Sequence, residues 1–252
     1  MTTGTSRPGE ALVLAAGRAM RLRPLTRDRP KCLVDVGGQS VLARLIGQLE
    51  AVGIERVVVV TGHCRELVED ALSSWPTSTE VEYVFNPEFK TTNNAVSLAV
   101  GLEQLRSDQF LLCDGDVVLR SQAILDRLLA APGDGVVGYR RLKTPKREAM
   151  KVTIRGGNGG RIEGLGKSLP PAGCHGEALG LQKIGPRFVT SLAQRLASLD
   201  ESRRRNWYYE DVFALMIRDG AEFRACELPG EQWTEIDTPA DLERARRLIA
   251  RW

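Results

Sequence analysis

The chain has few of the side chains that many enzymes use for nucleophilic or zinc chemistry. It contains two histidines in 252 residues, His63 and His175, and its five cysteines include no pair at the CxxC spacing. Zinc sites depend on cysteine and histidine ligands at short, regular spacings, so the sequence indicates none. An odd number of unpatterned cysteines also argues against a disulfide framework and predicts a cytoplasmic protein.

Long apolar runs and a strong excess of charge are also missing. No stretch approaches the roughly 20 apolar residues of a membrane span. Residues 1–10 are polar and lack the apolar centre of a signal peptide, so they predict a loose tail. The formal net charge is +3, too small to suggest a nucleic-acid partner. Neither a membrane nor nucleic acid is therefore expected as a partner.

The first half of the chain alternates apolar runs with helical patterns. Residues 57–61 are all β-branched, which is typical of a strand buried on both faces. Residues 40–52 place apolar side chains on one helical face, and Ser40 is the expected N-cap. This alternation predicts an α/β fold with a Rossmann-like, mostly parallel mixed sheet and helices on both faces.

After residue 140 the pattern changes towards antiparallel strands. Residues 150–154 and 161–165 flank a glycine-rich turn, which predicts an antiparallel hairpin. No repeat or linker separates the two parts of the chain. We therefore predict one domain over the whole chain, with a first half at 11–140 and an antiparallel extension within 141–252.

The most distinctive segment follows the first predicted strand, residues 11–16. It begins Leu14, Ala15, Ala16, Gly17, Arg18, Ala19, Met20, Arg21, and it closes with Pro30 and Lys31. From Gly17 to the first acid, Asp28, the charged residues are all cations. Its backbone N–H groups, together with Arg21 and Lys31, suit a polyphosphate.

Small and polar residues follow several of the predicted strands. They are Gly17, Thr61, Gly62, His63, Asn86, Asp114, Gly115 and Asp116. In open α/β sheets, ligands bind beyond the carboxyl ends of the strands. We therefore expect these residues to converge on one cleft.

Two carboxylates, Asp114 and Asp116, follow the strand predicted for residues 110–113. Paired carboxylates beyond a buried strand are costly unless they hold a cation, and Mg²⁺ carried on phosphates takes one or two carboxylates. The alternative is an Asp-Gly turn, which is common at strand ends. A third acid, Asp237, precedes the predicted N-cap Thr238; it is either a helix-start acid or a second metal ligand.

A further cluster combines aromatic residues with acids. It consists of Trp207, Tyr208, Tyr209, Glu210 and Asp211. Aromatic rings beside carboxylates suit an ammonium group through cation–π and Coulomb attraction. Acids at a helix start also complement the helix dipole, with the aromatics packed in the core. The residues alone leave both interpretations open.

Together these motifs resemble the pyrophosphorylase-type nucleotidyltransferases across nearly the whole chain. The matching motifs are the loop from Leu14 to Lys31, the Asp-Gly-Asp at 114–116 and the segment that begins at Asp237. The resemblance is nearest to the phosphocholine, 2-aminoethylphosphonate and inositol-phosphate cytidylyltransferases. One departure is Ala19, which replaces the second glycine of the family loop and is costly if that position needs a positive φ.

The resemblance implies CMP transfer from CTP to a small phosphate or phosphonate, with release of pyrophosphate. Residues 11–140 would bind the nucleotide and 141–252 the acceptor. Arg21 and Lys31 would hold the triphosphate, and Asp116 and Asp237 would hold Mg²⁺.

Further site residues are expected on both sides of the cleft. Those expected against the nucleotide are Leu14, Ala15, Ala16, Gly17, Arg18, Thr61, Gly62, Asn94, Ser97 and Asp114. The resemblance implies that Lys151 and Lys167 approach the acceptor phosphate, so the expected catalytic residues are Arg21, Lys31, Lys151 and Lys167. Expected acceptor ligands are Gly180, Tyr209, Glu210 and Asp211, with an amine on the acceptor.

Two other functions stay open from the sequence. A sugar-1-phosphate nucleotidyltransferase would share the loop but would have no use for the acids Glu210 and Asp211. A metal-dependent glycosyltransferase also uses an Asp-x-Asp motif, but it does not need a triphosphate-binding loop. The sequence does not decide the oligomeric state, for which a homodimer is one alternative.

Overall fold

The structure is a computed structural model that describes residues 7–73 and 75–250. Its strands are β1 (Glu10–Leu14), β2 (Arg56–Thr61), β3 (Glu80–Phe85), β4 (Phe110–Asp114), β5 (Val117–Leu119), β6 (Gly135–Arg141), β7 (Lys151–Arg155), β8 (Arg161–Gly166), β9 (Gly176–Ile184), β10 (Phe223–Glu227) and β11 (Trp233–Glu235). Nine of them form one sheet in the order β3-β2-β1-β4-β9-β6-β10-β8-β7, and β5 pairs with β11.

The helices alternate with the strands in the first half of the chain, as expected. They are α1 (Val41–Ala51), α2 (Arg65–Ser73), α3 (Asn94–Leu102), α4 (Ala123–Ala130), α5 (Pro186–Ala197), α6 (Glu201–Asn206), α7 (Tyr209–Arg218) and α8 (Pro239–Ile249). The Ser40 side chain accepts the N–H of Ala43 and caps α1, as predicted.

Parallel pairing of β1, β2, β3 and β4 forms the Rossmann-like half of the sheet. Val13 lies opposite Val59 on one side and Cys113 on the other, so β1 runs through the centre of this half. Strand β9 runs antiparallel to both β4 and β6 and makes the sheet mixed. The predicted fold class is confirmed.

Helices cover both faces of the sheet because each buries an apolar stripe. One face packs against α1, α2 and α4, and the core there includes Leu42, Ile46 and Leu128. The other face packs against α3, α5 and α7, with Leu98 and Phe213 in the core. None of the helices in the described part of the chain combines the length and apolar character of a membrane span.

A small second sheet joins the end of the chain to the middle of the fold. Val117 of β5 lies opposite Glu235 of β11, and the Ile236 N–H donates to the Asp116 carbonyl at 3.1 Å. The pairing brings Asp237 beside Asp116 although the two residues are far apart in sequence. The sequence patterns did not predict this sheet.

The tail predicted for residues 1–10 extends too far, because residue 10 already belongs to β1. Glu10 opens β1 and is buried, and its carboxylate accepts the N–H groups of Arg106 at 3.0 Å and Ser107 at 2.7 Å. It also pairs with the buried guanidinium of Arg56. Burial of a charge with these partners fixes the chain from Gly9 onwards and corrects the predicted limit. Residues 1–6 lie outside the described residues.

Candidate active site

A cleft of about 240 Å³ lies at the carboxyl ends of β1 and β4. Its lining residues are Leu14, Ala15, Ala16, Gly17, Lys31, Cys32, Asn86, Phe89, Thr92, Asn93, Asn94, Ser97, Asp114, Gly115 and Asp116. The parallel strands end at this edge of the sheet, so most of the residues expected to bind the nucleotide meet there.

Three of the residues expected against the nucleotide do not line this cleft. Thr61 is fully buried, and its hydroxyl donates to the Val84 carbonyl at 3.3 Å. Gly62 packs so closely that a Cβ there would lie 2.6 Å from the Ala16 carbonyl oxygen. These two residues support the wall of the cleft from behind. Arg18 lies half-buried on the loop after Gly17.

The loop after β1 contains the strained position that its sequence suggested. Ala19 has φ 45° and ψ 50°, in the left-handed region, where a side chain costs about 1–2 kcal/mol. Its carbonyl accepts the Leu22 N–H at 3.0 Å and the hydroxyl of buried Thr26 at 2.8 Å. These bonds close a tight turn that directs Arg21 outward, with 67% of its side chain exposed.

Arg21, Lys31, Asp116 and Asp237 meet at one end of the cleft, and we call them the cation–carboxylate cluster. The Lys31 ammonium contacts Asp116 and lies 3.2 Å from Asp237 Oδ1, and Arg21 Nη2 lies 2.9 Å from Asp237 Oδ2. Burial opposes the charge on Lys31, but the two carboxylates outweigh burial and raise its pKa well above the ordinary value. The structure thus brings together two expected phosphate ligands and two expected metal ligands.

The donor set at this cluster fits a divalent cation that arrives on a phosphate. Asp116 Oδ1 is buried and has no hydrogen-bond partner among the described residues. Within residues 7–73 and 75–250, no group of three or more histidine, cysteine, aspartate or glutamate side chains is placed to hold a metal alone. Mg²⁺ needs only one or two carboxylates when phosphate oxygens and water supply its other ligands.

The opposite side of Asp114 borders a second group of acids. The Tyr209 hydroxyl lies 3.3 Å from Asp114 Oδ2 and accepts a hydrogen bond from the Gln182 amide at 3.1 Å. A Cβ at Gly180 would lie 2.5 Å from Asp114 Oδ2, and the Gly180 N–H donates to Glu235 at 3.0 Å. Gly180 therefore has to be a glycine for the Asp114 side chain to approach the backbone of β9 this closely.

Asp114, Glu210 and Glu235 form what we call the acid cluster. Burial, followed by repulsion from Glu210 and Asp116, raises the pKa of Asp114 well above its ordinary value. Burial also raises the pKa of Glu210 to about 7 and that of Glu235 to about 8. Glu210 Oε2 and Gln182 Oε1 are buried without a hydrogen-bond partner in the described part of the chain. The cluster therefore concentrates acceptors that a cationic donor would satisfy.

Glu235 is a site residue that the sequence patterns did not reveal. It ends β11 two residues before Asp237, and it lies close enough to Asp116 and Asp237 for their charges to raise its pKa in addition to burial. The only local signal is this spacing, and it has meaning only once β11 is known to exist.

Asp211 and Glu210, adjacent in sequence, are used differently. The Asp211 carboxylate accepts the N–H of Tyr208 at 2.8 Å and so caps the first turn of α7. Glu210 is buried at the acid cluster. The helix-start interpretation therefore describes a bond that Asp211 makes, and the ammonium interpretation is better suited to Glu210.

The two expected catalytic lysines of the second half also differ in their surroundings. Lys167 Nζ lies 3.7 Å from the centroid of the Tyr208 ring. Lys151 is fully buried, and its ammonium is surrounded by backbone carbonyls. Asn94, which lines the cleft, accepts the Tyr209 N–H at 3.0 Å, and Ser97 accepts a hydrogen bond from Asn86. The Asn94 contact thus joins the lining of the cleft to the first turn of α7.

Residues 11–209 match the model of the MobA-like NTP transferase domain. The chain belongs to this family of nucleotidyltransferases. The match includes the loop after β1 and the Asp-Gly-Asp segment, which both contribute lining residues to the cleft, and it ends at Tyr209, the first residue of α7. Membership sets aside the glycosyltransferase alternative.

Known relatives act on different acceptors. The chain is 34% identical over 245 residues to CMP-5'-(3-aminopropyl)phosphonate synthase of Streptomyces rubellomurinus; the match covers 94% of this chain but 38% of that protein. It is 33% identical to UTP–glucose-1-phosphate uridylyltransferase AglF of Haloferax volcanii, covering 95% of this chain and 96% of that one.

A solved structure shows the same fold. The structure of CTP:phosphocholine cytidylyltransferase (LicC) from Streptococcus pneumoniae matches with a TM-score of 0.76 and 20% identity. The match covers 97% of this chain and 100% of that chain, so the mixed sheet and its helices are shared over their whole extent.

Proposed function

We propose that the protein is a Mg²⁺-dependent cytidylyltransferase that transfers CMP from CTP to a small phosphate or phosphonate carrying an ammonium group. The observation that carries this proposal is the pairing of two clusters at one cleft. The cation–carboxylate cluster suits a triphosphate, and the acid cluster suits an amine. A cytidylyl acceptor with an anion at one end and a cation at the other would match both.

On the nucleotide side, the chain supplies charge and backbone donors. Ala16 and Gly17 line the cleft directly after β1, so their backbone N–H groups are available to a phosphate there, and Arg21 and Lys31 would bring two positive charges to it. Asp116 and Asp237 would hold Mg²⁺, which neutralises charge on the triphosphate. This arrangement stabilises the pyrophosphate as it leaves.

On the acceptor side, no general base is required. A phosphate or phosphonate has a second pKa near ~6, so its oxygen is already anionic at neutral pH. That oxygen forms a bond to the α-phosphorus of CTP, and the bond from the α-phosphorus to the bridging oxygen breaks, leaving its electron pair on pyrophosphate. Lys167 would orient the attacking anion. Because the nucleophile is already anionic, the reaction needs no histidine as a general base, which agrees with a chain that contains two histidines.

The ammonium group of the acceptor would lie at the acid cluster. Three carboxyl groups of like charge repel one another, and burial makes each charge more costly. A cation at this place would offset the repulsion, and a primary ammonium would also donate N–H bonds to Glu210 Oε2. Neutral sugar hydroxyls would supply donors but no charge.

A screen of pyrophosphate release tests this proposal. Each of the four nucleoside triphosphates is paired with 2-aminoethylphosphonate, 3-aminopropylphosphonate, phosphocholine, phosphoethanolamine and glucose 1-phosphate. We expect turnover with CTP and an amine-bearing acceptor, and no turnover when Mg²⁺ is replaced by EDTA. Turnover confined to glucose 1-phosphate would overturn the proposal.

A sugar-1-phosphate nucleotidyltransferase is the second candidate function. It is favoured by the 33% identity to a uridylyltransferase over 96% of that protein's length. Turnover of UTP with glucose 1-phosphate in the same screen would establish it. A cytoplasmic location and a homodimer remain predictions, the second of which light scattering would test.

A further inference from the structure

Lys151, the first residue of β7, is a lysine with no exposure to solvent. Its Nζ donates to the carbonyls of Arg147 at 2.6 Å, Ala149 at 3.1 Å and Lys167 at 2.6 Å. An ammonium has three N–H donors and no acceptor. All three donors of Lys151 are therefore used by the backbone, and none is left for a substrate phosphate.

The three carbonyls belong to two separate segments of the chain. Arg147 and Ala149 lie in the connection between β6 and β7, and Lys167 follows β8 directly. Within the hairpin Lys151 lies opposite Gly166, so the ammonium reaches across the end of β8 to the next residue. A hydrogen bond from a charged donor is about twice as strong as a neutral one. The buried ammonium of Lys151 thus holds both segments together through hydrogen bonds to their backbone carbonyls.

Lys167 is one of the residues whose backbone is held by the Lys151 ammonium. Its backbone carbonyl is bound to Lys151, and its own ammonium lies 3.7 Å from the centroid of the Tyr208 ring. A hydrogen bond from Lys167 lowers the pKa of Tyr208, and the Lys167 charge acts on Glu210 and Asp211 as well. Lys167 therefore stands between the hairpin and the acid cluster.

We propose that Lys151 is a positioning residue that holds the backbone of Lys167, and that Lys167 alone meets the acceptor anion. The inference rests on the proposed function for the identity of the acceptor, but its structural part does not. It revises the expectation that both lysines approach the acceptor. Lys151 acts through the carbonyl it binds.

A second buried lysine provides a matched control. Lys183 of β9 is also buried, and its Nζ donates to the carbonyls of Leu129 and Ala131. These carbonyls lie at the end of α4, on the opposite face of the sheet from α7. Like Lys151→Met, Lys183→Met removes hydrogen bonds from a buried ammonium to backbone carbonyls, but it leaves the backbone contact of Lys167 intact.

The first test measures the place of Lys167 without any substrate. The pKa of Tyr208 is followed by ¹³Cζ-tyrosine NMR in the full chain. The chain has four tyrosines, and the pKa values of Tyr83, Tyr139 and Tyr209 are raised, so Tyr208 titrates first. Tyr208→Phe confirms the assignment.

Lys167→Met should raise the Tyr208 pKa because it removes the bonded ammonium. Lys151→Met should raise it in the same direction, and Lys183→Met should leave it unchanged. An unchanged Tyr208 pKa in Lys151→Met would overturn the proposal. If Lys151→Met does not fold, Lys151→Arg replaces it, with the same rise expected because a planar guanidinium cannot reproduce the three bonds of an ammonium.

The second test uses turnover with the acceptor found in the screen. Lys151→Met should lower kcat/KM for the acceptor about tenfold or more and leave the KM for CTP unchanged, as expected when an interaction specific to one substrate is lost. In the Lys167→Met background the same change should cost less than about twofold, because the two lysines act as one unit.

Additive losses would mean that Lys151 contacts the acceptor independently, and the proposal would be wrong. The two tests also separate the two proposals. If Lys151→Met shifts the Tyr208 pKa but no acceptor supports pyrophosphate release, the placement of Lys167 stands and the proposed function fails.

Discussion

The two charged clusters of the cleft are built in opposite ways. In the cation–carboxylate cluster, Asp116 and Asp237 each contact a cation, and the cations contact carboxylates in return. In the acid cluster, like charges face one another, and burial raises the pKa of all three acids. The first cluster is close to neutral as it stands, whereas the second becomes neutral by taking up protons or a cation.

This difference assigns different parts of a substrate to the two clusters. The paired charges can find new partners on a magnesium-bound triphosphate, because its Mg²⁺ would pair with the carboxylates and its phosphate oxygens with Arg21 and Lys31. Repelling carboxyls favour a ligand that brings positive charge alone. The comparison therefore predicts that substitutions in the first cluster reduce the rate and substitutions in the second reduce acceptor binding.

The largest effect is expected from the carboxylates of the first cluster. Asp116→Ala and Asp237→Ala should each lower kcat roughly 10³-fold, as expected when a contact to the developing charge is lost. Stopped-flow or steady-state pyrophosphate release measures this loss. Asp126→Ala, an exposed acid on α4, is the matched control and should retain the wild-type rate. Near-normal turnover of either variant at saturating Mg²⁺ would contradict the assignment of that aspartate as a ligand of Mg²⁺.

Lys31→Met is expected to have the next largest effect, about 10²–10³-fold on kcat. The ammonium lies between the two carboxylates, and under the proposed function it acts mainly on the leaving pyrophosphate. Arg247→Met removes one positive charge from the exposed part of α8 and should leave kcat unchanged. If only the KM for CTP rises in Lys31→Met, the residue binds the ground state and the transition state equally.

Glu210→Gln should act on the acceptor instead. Loss of a buried partner charge should raise the KM for the acceptor roughly 10²-fold, with the KM for CTP nearly unchanged. Burial raises the pKa of Glu210 to about 7, so ionisation opposes folding as the pH rises from about 4.5 to 7. The variant should therefore be at least as stable as the wild type at pH 8.

The Glu210→Gln result has a matched control and a clear contrary outcome. Glu201→Gln changes an exposed glutamate of α6 and should leave both KM values alone. If Glu210→Gln handles the acceptor as the wild type does, the acid cluster does not bind the amine.

A smaller effect of a different kind is expected at Asp211. Asp211→Ala removes the bond to the Tyr208 N–H and should cost about 1 kcal/mol, as for other helix caps. The melting temperature should fall by about 2–4 °C, while the KM for the acceptor stays within about twofold of the wild type. A rise in this KM as large as that expected for Glu210→Gln would show that Asp211 also binds the acceptor and is more than a helix cap.

Ala19→Gly is the smallest change and should stabilise the protein. A glycine relieves the left-handed strain of about 1–2 kcal/mol but costs about 0.5–1 kcal/mol of chain entropy, so a net gain of about 0.5–1 kcal/mol is expected. Ala131→Gly, at an ordinary φ of −65°, should instead destabilise the protein in the same denaturation experiment. A loss of stability in Ala19→Gly would show that the turn is not strained.

Local patterns predicted the cleft because its residues follow strands that the sequence marks clearly. The apolar runs of β1 and β4 predicted where Gly17 and Asp114 lie, and parallel pairing of these strands brought their ends together. The two acids Asp116 and Asp237 were expected near each other from a family resemblance. The structure shows the physical cause, the pairing of β5 with β11.

The features that the sequence did not predict depend on contacts between distant segments. Strands of three residues, such as β5 and β11, carry no readable periodicity, so the spacing of Glu235 from Asp237 could not be interpreted from the sequence. Glu10 appeared to end a polar tail because its partners, Arg56 and the backbone at Arg106, lie far away in the chain. The family resemblance implied that Lys151 approaches the acceptor phosphate. The sequence could not show that three backbone carbonyls from separate segments surround its ammonium.

The most direct test of the central claim compares two acceptors that differ in one group. 2-Aminoethylphosphonate and propylphosphonate have the same length, but the first ends in an ammonium and the second in a methyl group. We predict that pyrophosphate release from CTP has a kcat/KM at least about 10²-fold higher for the amine, the scale expected for a buried charge pair. Equal values for the two acceptors would contradict the assignment of the acid cluster to an ammonium group.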